Sequence, residues 1–280
     1  MQVLILGCGD IGTRAGLSLL DRGWRVAAAR RNPDRLPDQF VRHKVNLTDP
    51  ASFVALDTMT PDYVVVTPTP QSFDLAGYQA GFAGVAKTLA SQKWIAQCRR
   101  VIWVSSTRVY SESDGGWVDE HSPLNLDEPP ASSMIAGEAA IRRASTATII
   151  RPAGVYGDPQ GMLMRRVRAG EGGATGALYG NRIHREDLSR LIVHCLERDH
   201  AGESVPPTVV GADHDQTPTH KIEDWLADQI AVTLVRPSDP SPSRAHRRCR
   251  NALLERIGFR LSYPTWREGY RAALDASSDK

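Results

Sequence analysis

The stretch that most limits what this chain can become is VLILGCGDIG, residues 3–12. Four apolar residues, Val3 to Leu6, run straight into Gly7-Cys8-Gly9-Asp10-Ile11-Gly12, after which Ala15, Leu19 and Leu20 fall at helical spacing. A strand that breaks at glycines and restarts as a helix fits the pattern G-x-G-x-x-G. Gly7 permits the tight turn, Gly9 lets a bound group approach the backbone, and Gly12 lets the helix lie close against the strand. The group such a loop receives is a pyrophosphate, because backbone N–H groups and the positive end of the helix dipole converge there. Gly7, Gly9, Asp10, Ile11 and Gly12 are therefore the first expected cofactor contacts.

Strand-like and helical segments go on alternating. Val26 to Ala29, Lys44 to Leu47, Tyr63 to Val66, Val101 to Ser105 and Thr148 to Arg151 read as strands. Helices are expected near Leu75 to Ser91, Ser132 to Ala144 and Asp187 to Glu197. The Tyr63–Val66 run is wholly apolar, as expected where helices cover both faces of a sheet. Such alternation predicts right-handed crossovers and an α/β fold, a doubly wound parallel sheet of the Rossmann kind. After Gly157 the composition shifts. Residues 158–181 are rich in Gly and Arg, and the region beyond Gly202 in Pro, Asp and Ser. The expected division is a dinucleotide-binding domain at 1–157, with 183–200 returning to it, and a smaller mixed α/β, substrate-binding lobe at 158–280.

The end of the second strand bears on cofactor choice. NAD-binding units carry Asp or Glu there to meet the ribose 2′-hydroxyl. This chain places Arg30-Arg31, with no acid before Asp34. Guanidinium groups bind phosphate through forked, charge-assisted hydrogen bonds, which a carboxylate would oppose. NADP(H) is the expected cofactor, ahead of NAD.

Net charge is +2 (34 Lys and Arg against 32 Asp and Glu), which points to neither nucleic acid nor membrane partners. The basic cluster Arg244, Arg247, Arg248 and Arg250 reads as a solvated face or as a contact to a phosphate-bearing substrate. Cys8, Cys98, Cys195 and Cys249 lack the spacing of a disulfide framework or a zinc site, and no metal is expected. Neither a signal-peptide layout nor an apolar run of about 20 residues is evident, so a cytoplasmic protein is expected. The expected partner is a small-molecule substrate, and a homodimer is the assembly most common in general.

At Val101–Tyr110, reading VIWVSSTRVY, the chain resembles the extended short-chain dehydrogenases/reductases. The likeness continues through Trp117-Val118-Asp119-Glu120 with Pro123, Arg151-Pro152 with Gly154-Val155-Tyr156-Gly157, Arg182-Ile183-His184 with Asp187, and Gly258-Phe259 with Tyr263-Pro264. It is similar to the atypical branch of NAD(P)-dependent epimerases/dehydratases. The resemblance implies that Asn46 and Leu47 meet adenine, that Thr67, Pro68 and Thr69 pass the cofactor ribose, and that Ser105 lies beside the cofactor. It further implies that Pro152 and Val155 flank the nicotinamide and that Ser106 is the active-site serine. In that family's layout substrate lies between the sheet's carboxyl edge and the C-terminal lobe, where Arg165, Arg166, Arg168 and Arg182 are candidates to hold an anionic group.

One departure is severe. The family's proton donor is a tyrosine followed four residues later by a lysine, which tunes a phenol whose ordinary pKa is about 10. The lysines here are Lys44, Lys87, Lys93, Lys221 and Lys280, preceded at that spacing by Phe40, Ala83, Leu89, Thr217 and Ala276. Alignment on Glu138 puts Pro130 and Met134 in the two places, and Gly81 where the family has an asparagine. Ser106 is retained, as an oxyanion-type donor or as a backbone cap, and Tyr110 is the nearest phenol, as proton donor or packed side chain. Asp119 and Glu120 read as loop caps, His184 as packed, and Asp187 as a first-turn acid. Two functions stay open: an NADP-dependent oxidoreductase, epimerase or dehydratase acting on a small, anionic substrate, or a catalytically inactive NADP(H)-binding sensor or scaffold.

Overall fold

In the computed structural model, which describes residues 1–173, 175, 178–238 and 246–278, each expected helix follows a strand. Arg244 of the basic cluster lies outside the described residues. In chain order the elements begin β1 (Gln2–Leu6), α1 (Asp10–Leu20), β2 (Arg25–Arg30), β3 (Val41–Lys44) and β4 (Tyr63–Val66). A single helical run follows, made of α2 (Leu75–Tyr78), a π-helical turn (Gln79–Gly84) and α3 (Val85–Ala90). Then come β5 (Arg100–Val104), β6 (Asp114–Val118), α4 (Pro129–Ala144), β7 (Ala147–Pro152), β8 (Gly154–Tyr156) and α5 (Met162–Arg168). The rest are β9 (Arg182–His184), α6 (Arg185–His200), β10 (Thr208–Gly211), α7 (Thr219–Gln229), β11 (His246–Cys249), α8 (Ala252–Arg256) and α9 (Trp266–Ser278).

The main sheet has seven strands in the order β10-β7-β5-β4-β1-β2-β3. β1 pairs in parallel with β2 on one side and β4 on the other, the point at which a doubly wound sheet reverses direction. The last strand is also parallel, since Ile149 donates to Pro207 and Ala153 to Gly211 in step along both chains. Val3 to Leu6, Tyr63 to Val66 and Val101 to Trp103 are fully buried, as their unbroken apolar sequence requires.

Two compact units divide the chain. The first is Met1–Ser111, Leu124–Arg151 and Leu188–Val209. Within it α6 is fastened at its far end, where the Asp199 carboxylate accepts from Tyr63 Oη (3.0 Å) and Arg100 Nε (2.7 Å). The second is Glu112–Pro123, Pro152–Asp187 and Val210–Lys280. It contains two parallel ribbons, β8 with β9 and β6 with β11. Its core is Tyr156, Met164, Val167, Ile222, Leu226, Trp266 and Tyr270, drawn from α5, α7, α9 and β8.

Two local expectations are revised. The third strand is Val41–Lys44 rather than Lys44–Leu47: it pairs with Ala27–Arg30 and stops where Asn46 folds its carboxamide oxygen onto Thr48 N and Oγ1. An Asx turn of that kind ends the ladder. No strand is expected from the sequence in the Pro-, Asp- and Ser-rich region beyond Gly202, yet its TVVG segment forms β10, with Val209 and Val210 fully buried.

Candidate functional site

The glycine loop is held from both neighbouring strands. Gly7 and Cys8 both donate to Ala29 O, at 3.0 and 3.1 Å, and Thr67 Oγ1 donates to Gly7 O at 2.8 Å. Gly7 has φ +72°, and a Cβ there would lie 2.7 Å from Thr67 O. At Gly12 a Cβ would lie 2.9 Å from Ile5 Cγ2, so this glycine sets the helix-to-strand distance. Gly9 caps α1 without a side chain, and the nearest atom to a Cβ there is 3.8 Å away. The backbone at Gly9 is thus open, as a loop that receives a pyrophosphate must be. Asp10 forms an ion pair with Arg14 in the first turn, and Ile11 is half-buried.

Beside the loop, the ends of β2 and β3 gather positive charge. Arg30 and Lys44 are register partners, Arg30 half-buried and Lys44 exposed. Arg31, Lys44, Asn46, Asp49 and Ser52 line a cavity of about 360 Å³. Its one acid, Asp49, turns a carboxylate oxygen to Ala51 N (3.1 Å). Among the described residues no carboxylate pairs with Arg30, Arg31 or Lys44. Lys44 was missed as a site residue, because its alignment with Arg30 depends on where β3 begins. Leu47 comes within 3.2 Å of the position a Gly7 Cβ would take, Pro68 is buried and Thr69 is exposed.

At the carboxyl end of β5, Ser105 and Ser106 diverge. Ser105 is buried and donates to Glu138 Oε1 at 2.6 Å. Ser106 is half-buried and caps the turn Thr107–Val109 by accepting from Arg108 N at 3.1 Å. That bond uses a lone pair and leaves the hydroxyl proton to donate elsewhere. Tyr110 is fully buried, with the Arg151 guanidinium 5.1 Å from its ring centre.

Pro130 stands in the first turn of α4 and Met134 is buried in its interior, so neither place carries a titratable group. Gly81 has a steric reason: a Cβ there would lie 2.2 Å from Thr69 O, so an asparagine would not fit this π-helical turn.

Other candidates lie in the second unit. Pro152 is buried and Val155 is exposed on β8. His184 Nδ1 accepts from Glu186 N (3.2 Å), and Asp187 accepts from Ser262 N and Tyr263 N (2.7 and 2.9 Å). Asp119 accepts from His121 N, and Glu120 from Val210 N. These acids are committed to backbone amides. Arg182 is buried against Gly180 O, while Arg165, Arg166 and Arg168 lie on α5. Among the described residues no group of three or more His, Cys, Asp or Glu could hold a metal ion, and no helix is long and apolar enough to cross a membrane.

A parallel sheet that reverses beside an open glycine loop is the Rossmann arrangement that receives a dinucleotide. A family model for NAD(P)H-binding proteins matches residues 7–199, and the chain belongs to that family. Among solved structures it is similar to a proposed NAD-dependent epimerase/dehydratase from Methylobacillus flagellatus. The two share 25% identity and a TM-score of 0.80 over 99% of this chain and 98% of that one. UDP-glucose 4-epimerase from Thermotoga maritima, solved with UDP-glucose, has 15% identity and a TM-score of 0.80, covering 100% of this chain and 99% of its own. The enzyme WbmG from Bordetella bronchiseptica, solved with NAD and UDP, has 16% identity and a TM-score of 0.82, covering 99% and 94%. The last two likenesses are of fold alone. No curated protein matches the chain.

Proposed function

We propose that this chain is an NADP(H)-dependent oxidoreductase, epimerase or dehydratase that acts on a small, anionic substrate without a Tyr-x-x-x-Lys pair. The observation that carries the reading is the cavity lined by Arg31 and Lys44 at the ends of β2 and β3, β2 being the strand beside β1 and its glycine loop. Two cations without carboxylate partners suit a 2′-phosphate, which is the one feature separating NADP from NAD. The bound dinucleotide would supply hydride exchange at its nicotinamide.

This chain's residues then have separate tasks. The loop Gly7–Gly12 holds the pyrophosphate, with Asn46 and Leu47 toward the adenine and Thr67 to Thr69 along the ribose. Ser106, its oxygen steadied by Arg108 N, donates its proton into a hydrogen bond with a substrate oxygen that gains charge. Tyr110 is assigned a positioning role, since its burial under Arg151 suits a platform better than a proton donor.

The sensor reading is favoured by one specific observation, the replacement of the proton-donating pair by Pro130 and buried Met134.

Cofactor fluorescence titration with NADPH and NADH tests the first claim. NADPH should bind at least about tenfold tighter, and Arg31→Ala/Lys44→Ala should erase the preference. Equal affinities in the unaltered protein would overturn the NADP assignment. A substrate screen following NADPH oxidation separates the two functions. Turnover that falls about 100-fold in Ser106→Ala supports the enzyme, and tight binding with no turnover supports the sensor.

A further inference from the structure

The basic cluster noted in the sequence is built into the β6–β11 ribbon of the second unit. Side chains alternate across a strand, so His246, Arg248 and Arg250 share one face while Arg247 and Cys249 share the other. Arg247 and Cys249 are buried, and Arg247 Nε donates to Glu112 O at 2.9 Å. The opposite face is a run of cations and rings. Tyr179 stacks on His246 with ring centres 5.6 Å apart. The Arg248 guanidinium carbon is 4.9 Å from the Tyr179 ring centre and 4.8 Å from that of Trp117, its register partner. Arg250 is 5.5 Å from the same indole.

The electrostatics of this face are unbalanced. Two guanidinium groups share one indole, at 4.8 and 5.5 Å from its ring centre, so they stand no more than about 10 Å apart, comparable to the Debye length of about 10 Å at 0.1 M salt. Among the described residues neither forms a close ion pair with a carboxylate, and the Arg250 charge reaches only as far as helping to lower the pKa of Asp119. The nearby acids are held by backbone amides rather than by the arginines: Glu112 accepts from Asp114 N and Gly116 N, and Asp119 from His121 N, so two cations on this face stand against one acid, Asp119, that feels Arg250 at longer range. Cation–π contact accounts for the stacking but does not neutralise the charge. Arg248 Nε is held by Gly115 O at 2.8 Å, which fixes the plane of the guanidinium and leaves its two terminal nitrogens to donate side by side. Trp117 is 43% exposed, so the face is open to solvent.

We propose that the Arg248–Trp117–Arg250 face is a binding site for the phosphoryl group of a phosphorylated small molecule. A forked donor with a second cation on the same indole matches tetrahedral phosphate oxygens, and the ring they share holds both guanidinium groups in place. The inference stands independently of the cofactor assignment, because it uses no residue of the glycine loop.

Inorganic pyrophosphate is the probe, titrated into the full chain against sodium chloride of equal ionic strength. Among the described residues Trp117 is the exposed tryptophan, so the part of the intrinsic fluorescence response that Trp117→Phe removes reads this face. The expected result is a saturable change with pyrophosphate and none with chloride. Arg248→Ala/Arg250→Ala should weaken it at least tenfold, and the single surface change Arg250→Glu should weaken it in the same sense with the melting temperature retained. Trp117→Phe should lose the optical signal while calorimetric binding persists. Gly9→Ala should leave the signal intact, and its loss there would move the site to the glycine loop and overturn the proposal. An equal response to chloride, or an affinity unaltered by both arginine variants, would also overturn it.

Discussion

Arg151 closes on Glu138 through two hydrogen bonds, Nε to Oε1 at 3.1 Å and Nη2 to Oε2 at 2.6 Å, with both side chains withdrawn from water. The same carboxylate accepts from Ser105 at 2.6 Å, so the ends of β5 and β7 are tied to α4 at one point. A buried charge that loses its partner is costly, so Glu138→Gln is expected to destabilise the protein by about 3–5 kcal/mol in urea denaturation. Ser105→Ala removes one hydrogen bond to the charged carboxylate and should cost less, about 1.5–3 kcal/mol. Similar losses for the two variants would mean that the ion pair is not the joint that holds this edge.

Gly7 and Gly9 separate folding from binding. At Gly7 the positive φ and the contact with Thr67 O both belong to the fold itself, so Gly7→Ala should lower stability by at least about 1–2 kcal/mol. At Gly9 the surrounding protein atoms leave room for a methyl group, and φ is −95°. Gly9→Ala should therefore melt close to the unaltered protein yet bind cofactor at least about tenfold more weakly, because the methyl group occupies the path of the pyrophosphate. Unchanged NADPH affinity in Gly9→Ala would show that the loop does not receive the cofactor.

The legible parts of this chain were those set by local chemistry. Val3 to Gly12 carries strand, turn and helix signals within ten residues, and Arg30-Arg31 reports the polarity at the end of β2 without reference to anything distant. Lys44 was not legible, because its place beside Arg30 follows from the register of β3 and from the turn that Asn46 makes. The division of labour between Ser105 and Ser106 was equally hidden. Two adjacent serines look alike in sequence, and only the buried Glu138 distinguishes them. β10 escaped notice because four residues among prolines and aspartates give little periodicity, although they complete a seven-stranded sheet. The basic cluster at Arg247, Arg248 and Arg250 was visible as charge, but its aromatic partners Trp117 and Tyr179 lie far away in the chain.

The four cysteines, Cys8, Cys98, Cys195 and Cys249, are all free and buried. Burial pushes the thiol of Cys8 up to about 11 and those of Cys98 and Cys195 up to about 12. The thiolate is the reactive form, so alkylation near neutral pH should be negligible in the native protein and appear at these sites together as urea unfolds it. Cys8 sits inside the glycine loop and is the informative one. Rapid labelling of Cys8 alone, without denaturant, would show that the loop opens by itself and is not the fixed cradle its hydrogen bonds describe.

Asp213 follows β10 and is fully buried, with Oδ1 accepting from Asp215 N at 3.2 Å and Oδ2 without a hydrogen-bond partner. Burial pushes its pKa up to about 8, against the opposing pull of the Asp215 amide and of Arg182. In the unfolded chain the group would titrate at about 3.9. The folded state therefore binds the extra proton between those two values, and stability must fall as pH rises through that window. Asp213→Asn keeps the shape and removes the titration. It is expected to flatten the decline in melting temperature from mildly acidic to mildly alkaline pH, and to stabilise the protein most at the alkaline end. A slope as steep in Asp213→Asn as in the unaltered protein would show that some other buried group, and not this carboxyl, takes up the proton.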